Sequence, residues 1–77
     1  MTRLFLMLDK IKDVKMFFET TQQIPCKVYL QQNEYIVDAH SLMGIFSLDL
    51  SKVVTFMAED KVDDAIMEQL KEFSVDK

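Results

Sequence analysis

The sequence is poor in the residues that punctuate or crosslink a chain, with one glycine, one proline, one cysteine and no tryptophan. With Cys26 alone, neither an intrachain disulfide framework nor a thiolate zinc site can be built, and the usage fits a reducing compartment. An excess of positive charge is also missing. Nine Lys and Arg stand against thirteen Asp and Glu, a net charge of −4 with a pI near 4.7, which leaves no basic footprint for a phosphate backbone. Nucleic acid is therefore not an expected partner. Long apolar runs are absent as well: the stretch from Leu4 to Leu8 stops at Asp9, too short for a signal-peptide core or a membrane span. No membrane partner is expected, and the chain is expected to be cytoplasmic. What is present is a 49% hydrophobic sequence of 77 residues, enough for one domain over residues 1–77 with a real core and no room for a second.

The apolar run from Thr2 to Leu8 is short and bounded, which suits a strand. From Asp9 the period changes. Ile11, Val14, Phe17 and Phe18 share one helical face with Lys12, Lys15 and Glu19 opposite, so an amphipathic helix is expected from about Lys10 to Gln22, with Asp9 as N-cap and Pro25 ending helical geometry. Cys26, Val28 and Leu30 alternate with Lys27, Tyr29 and Gln31, and Tyr35 to Asp38 form a second extended run, so the pair reads as a hairpin. Its turn lacks a glycine where Glu34 stands, which predicts a longer or mildly strained loop. Ser41 is placed to cap a short helix through Leu48, with Gly44 inside it as a point of close backbone approach. Val53 to Ala58 reads as a strand. Asp60, Asp63 and Asp64 precede a last helix with a stripe of Val62, Ala65, Ile66, Leu70 and Phe73, followed by a frayed tail. The order β-α-β-β-α-β-α, with one apolar stripe per helix, predicts an α+β open-faced sandwich of one antiparallel sheet with helices on one side.

That element order, together with the segment Val37-Asp38-Ala39-His40-Ser41-Leu42-Met43-Gly44-Ile45-Phe46-Ser47-Leu48, resembles the HPr family, the histidine-containing phosphocarriers of the bacterial sugar phosphotransferase system. In that family a strand ends in a basic residue followed by a Ser-Ile/Leu-Met-Gly-x-Met/Phe-Ser-Leu helix. The resemblance implies a four-stranded sheet in the order 1-4-2-3 with three helices packed on one side. It also implies a phosphoacceptor histidine in a Gly-x-His-x-Arg-Pro-Ala segment at the start of the first helix. The aligned residues are Leu8-Asp9-Lys10-Ile11-Lys12-Asp13-Val14, which put Lys10 in place of the histidine and Lys12 in place of the arginine. Phosphoryl transfer needs a neutral imidazole to attack phosphorus, with helix N–H groups and the arginine holding the oxygens. An exposed amine, protonated near neutral pH, does not replace it. His40, the one histidine, stands where the family has a basic residue before the serine; with no second ligand nearby no metal site is expected, and no cofactor is implied.

What the resemblance leaves to carry function is the short helix. In Gram-positive members the serine matching Ser41 is phosphorylated by a dedicated kinase, and Leu42, Met43 and Phe46 match a hydrophobic surface that docks kinase and transcriptional partners. Positions i, i+1 and i+4 of a helix cannot all point into the core, so at least one of these side chains is expected at the surface. Lys10, Lys12 and Lys15 crowd a helix start where the dipole disfavours cations, and Asp9, Asp13 and Glu19 balance them. The expectation is a non-enzymatic, HPr-like interaction module, with a kinase, transcriptional regulator or transporter component as its partner. An active carrier using His40 and a structural subunit that dimerises through an open sheet edge are the alternatives.

Overall fold

The computed structural model of the chain describes residues 2–75. Its elements are β1 (Thr2–Leu6), α1 (Ile11–Thr21), β2 (Val28–Gln32), β3 (Tyr35–Asp38), α2 (Leu42–Phe46), β4 (Val54–Ala58) and α3 (Asp64–Lys71). The strands form one antiparallel sheet in the order β1-β4-β2-β3, which is the expected topology. Alternation along each strand sorts the side chains by face. Leu4, Leu6, Val28, Leu30, Val37, Val54, Phe56 and Ala58 belong to the core with the helices, whereas Arg3, Tyr29, Gln31 and Thr55 point the other way. Phe17 of α1 ties the layers together: its ring meets Phe56 edge-on at 6.1 Å and Phe73 at 6.3 Å. Each such pair contributes about 0.5–1.5 kcal/mol beyond burial. Among the described residues no helix is long and apolar enough to cross a membrane.

Several boundaries differ from the sequence expectation, each for a physical reason. β1 stops at Leu6, where its pairing with β4 ends at Val54, and Met7 beyond it donates to the Phe73 carbonyl (2.9 Å). The N-cap of α1 is Lys10, not Asp9, since the first helical bond runs from the Val14 N–H to the Lys10 carbonyl (3.1 Å). Ile11 is 73% exposed, against the expectation that it shares the buried face. At 100° per residue it lies about 90° away from the direction set by Val14, Phe17 and Thr21. Fully buried Leu8 is the core residue at that end. The hairpin turn is neither longer nor strained at Glu34. Gln32 pairs with Tyr35 across a two-residue turn, and the positive φ (54°) falls on Asn33, a residue that tolerates it. Along α3 and its flanks the buried stripe is Val62, Ile66, Leu70 and Phe73, and Ala65 sits off it, exposed. The tail is ordered through Val75, whose N–H donates to the Phe5 carbonyl (2.9 Å), while Ser74 bridges to Leu6. The last two residues of that tail lie outside the described residues.

Candidate functional site

The segment Asp38 to Ser41 joins β3 to α2, and its groups are held from three directions. Ala39 donates to the Val28 carbonyl (3.0 Å), extending the β2–β3 ladder by one bond. Fully buried Thr21, on the last turn of α1, donates its hydroxyl to the Ala39 carbonyl (2.9 Å), and Gln22 donates its side-chain amide to the His40 carbonyl (3.3 Å). Asp38 makes the turn itself: its carboxylate accepts the His40 N–H (2.8 Å) and its carbonyl accepts the Ser41 N–H (3.0 Å). The next residue therefore enters α2 in a fixed direction.

Ser41 is the N-cap, extended at φ −104° and ψ 116°, and its Oγ accepts the Gly44 N–H at 3.1 Å. The expected cap is thus present, on a helix that ends at Phe46 rather than Leu48. Gly44 is there because α2 presses on β3. A Cβ built on it meets the Asp38 carbonyl and the Val37 Cβ at 3.3 Å each, tighter than ordinary van der Waals contact. Ile45 and Leu48 turn inward and are buried, which leaves Leu42 38%, Met43 83% and Phe46 48% exposed. All three apolar side chains, not just one, form a surface beside the cap. An apolar cluster in water beside a rigid helix start is the physical requirement for docking a protein partner.

The start of α1 is built differently. Lys10 is extended at φ −115° and ψ 145° but makes no side-chain cap bond. Lys12, two residues on, is exposed on the wall of a cavity of about 340 Å³ whose other lining includes Asp9, Asp13 and Glu72. A cavity lined by three carboxylates and one ammonium is a poor receptor for a phosphate dianion. Lys10 and Lys12 stand at the start of α1, and Ser41, Leu42, Met43 and Phe46 form a separate group at α2.

His40 is anchored as part of the framework. Its Nε2 lies 3.0 Å from the Ile24 carbonyl and its Nδ1 lies 3.4 Å from Asp38 Oδ1. The Ile24 carbonyl can only accept, so Nε2 carries the proton of that contact, and in the neutral ring the lone pair lies on Nδ1, turned toward the Asp38 carboxylate. Among the described residues no three His, Cys, Asp or Glu side chains converge as metal ligands would. Sequence reasoning missed the role of Asp38. An Asp two residues before the amide it receives is the Asx-turn signature, legible in Asp38-Ala39-His40.

The fold defined by this sheet order and these helices is that of known phosphocarriers. The chain is similar to HPr-C-His from Thermoanaerobacter tengcongensis, with a TM-score of 0.76 and 22% identity over 94% of this chain and 89% of that one. It is also similar to the phosphocarrier protein HPr from Bacillus anthracis, with a TM-score of 0.70 and 18% identity over 96% of this chain and 94% of that one. At such identities the likeness is one of fold. No curated protein matches the sequence. The family PTS-HPr, described as the PTS HPr component phosphorylation site, matches residues 11–75, starting one residue after Lys10. The chain belongs to the HPr family of the phosphotransferase system, whose members are phosphocarrier proteins, not enzymes in the usual sense, and work with other proteins of that system.

Proposed function

We propose that this HPr-family chain carries no phosphoryl group on histidine and serves as a cytoplasmic regulatory module, docking proteins of the phosphotransferase system through α2 under control of Ser41. The observation that supports this reading most is the geometry at the two helix starts. Lys10 occupies the first one with no cap and with carboxylates near Lys12, whereas Ser41 caps the second beside exposed Leu42, Met43 and Phe46. A phosphate on Ser41 would sit where the helix presents N–H groups, next to the apolar surface, and would favour a partner with a basic pocket over an acidic one.

Incubation with phosphoenolpyruvate and the general enzyme of the phosphotransferase system is expected to give no acid-labile phosphate on the chain. Labelled His40 would overturn the reading. In parallel, a kinase that modifies HPr serines, with ATP, is expected to add one phosphate to the native chain and none to Ser41→Ala, read by intact mass.

A further inference from the structure

The side of the sheet that no helix covers carries an unbalanced arrangement of its own. The strand register sets Arg3, Met57, Tyr29 and Asp38 side by side across four strands, with Ile36 beside them on the outer strand β3. Met57 is only 9% exposed although nothing from the helical layer lies over it, while Ile36 is 58% exposed. Tyr29, Ile36, Met57, Ala58 and Glu59 line a cavity of about 250 Å³. That is smaller than the pockets of about 300–1,000 Å³ that hold whole small molecules, and it suits a single large side chain.

The rim is acidic. Glu59 accepts the Tyr29 hydroxyl at 3.2 Å, and the phenol is held above its ordinary value by desolvation and then by the charges and hydrogen bond of Glu59, with Asp38 adding to it. Among the described residues Glu59 has no ion pair, and the one cationic neighbour of Asp38 is His40, when protonated, at 3.4 Å. Arg3 lies across Met57 on the same face but pairs with neither carboxylate, and lines the adjoining cavity with Phe5, Gln31 and Thr55. An apolar seat beside two carboxylates without a strong cationic partner has a definite complement.

We propose that the uncovered sheet face is a second docking surface, taking a basic peptide segment of a protein partner with one large apolar side chain in the Tyr29, Ile36 and Met57 cavity and a Lys or Arg beside Glu59 and Asp38. Charge selects this occupant. A second copy of a chain with net charge −4 is repelled, and so is an anionic lipid surface. The surface lies on the other face of the sheet from the helices; it shares the Asp38 carboxylate with the turn before Ser41, whereas its apolar seat and Glu59 include neither His40 nor Ser41.

The test is a titration of the ¹⁵N-labelled full chain with two synthetic peptides, Ser-Gly-Arg-Phe-Arg-Gly-Ser and its counterpart with Glu for Arg, followed by amide shifts. The basic peptide is expected to give saturable shifts at Tyr29, Ile36, Met57 and Glu59, weakening as salt is added, and the acidic peptide none. Glu59→Lys and Ile36→Ser, both at exposed positions and each checked by thermal unfolding, are each expected to weaken binding by about tenfold. Equal binding of both peptides, shifts centred on Leu42 to Phe46, or affinity unmoved by both substitutions would overturn the proposal. So would a concentration-dependent dimer that shifts the same amides without peptide, since it would assign the face to a second copy. The titration uses the unmodified chain and reads Tyr29, Ile36, Met57 and Glu59, so a phosphorylated histidine in the carrier assay would overturn the proposed function without deciding this proposal, and the two readings fail separately.

Discussion

The entrances to α1 and α2 share a backbone and differ in what the side chain does with it. Lys10 and Ser41 are both extended, at φ −115°, ψ 145° and φ −104°, ψ 116°, and each is followed by a helix in the same layer. Ser41 returns an acceptor to the Gly44 N–H, and Lys10 returns none. The geometry of a helix start is thus imposed by the packing around it, by Leu8, Val14 and Phe17 in one case and by Ile45 and Thr21 in the other. The chemistry available there depends on one side chain. A helix start can therefore be held in place by packing whatever the chemistry of the side chain that begins it.

Substitutions can break this comparison or sharpen it. The largest effect is expected inside α2: Ile45→Ala should cost about 2–5 kcal/mol in chemical denaturation, as for a buried aliphatic residue. Met43→Ala, two residues away and in water, should leave the unfolding midpoint within about 0.5 kcal/mol while weakening a docked partner by about 1–3 kcal/mol. If both substitutions destabilised equally, α2 would be core and not a surface. Next in size is Gly44→Leu, which forces a side chain against the Asp38 carbonyl and Val37 and should cost about 1–3 kcal/mol, with the amides of Asp38 and Ser41 losing exchange protection.

Ser41→Ala removes the cap on the Gly44 N–H and should cost about 0.5–2 kcal/mol. The smallest effect has the opposite sign. Lys10→Ser places an acceptor on a residue already in capping geometry and should stabilise the chain by about 0.5–1 kcal/mol, visible as a raised melting temperature. If Lys10→Ser were destabilising, the ammonium would have a role at the start of α1 that its geometry does not show.

The element order was legible because period and punctuation agreed: alternation from Cys26 to Gln31, a change of period after Asp9, and Ser41 placed as a cap, whereas the strand order came from the family resemblance of the segment Val37 to Leu48. The α2 surface was legible in part. Spacing required that at least one of Leu42, Met43 and Phe46 leave the core; that all three do so depends on how α2 is rotated against β3, and the rotation is fixed by contact at Gly44. Ile11 was misjudged because one stripe at i, i+3, i+6, i+7 fits two helix rotations, and the burial of Leu8 and Thr21 chooses between them. The ties from Thr21 to Ala39 and from Gln22 to His40 span 18 residues each and leave no local pattern. The acidic seat at Tyr29 and Glu59 was hidden for the same reason, since the two residues are 30 apart in sequence and meet only through strand pairing.

The short pairing of the C-terminal segment with β1 makes the two borders of the sheet unequal. Phe73 to Val75 occupy main-chain groups on the outer side of β1 and just past it, through Met7 to Phe73 and Val75 to Phe5, while on the other side β3 ends the sheet with no strand beyond it among the described residues. A sheet with two open borders can add molecules without end, as fibres do, whereas a sheet with one can only close into a pair and stop. Phe73 to Val75, just beyond α3, thus shield the border of β1, and unpicking Ser74 and Val75 would leave main-chain groups open on that side as they are on β3.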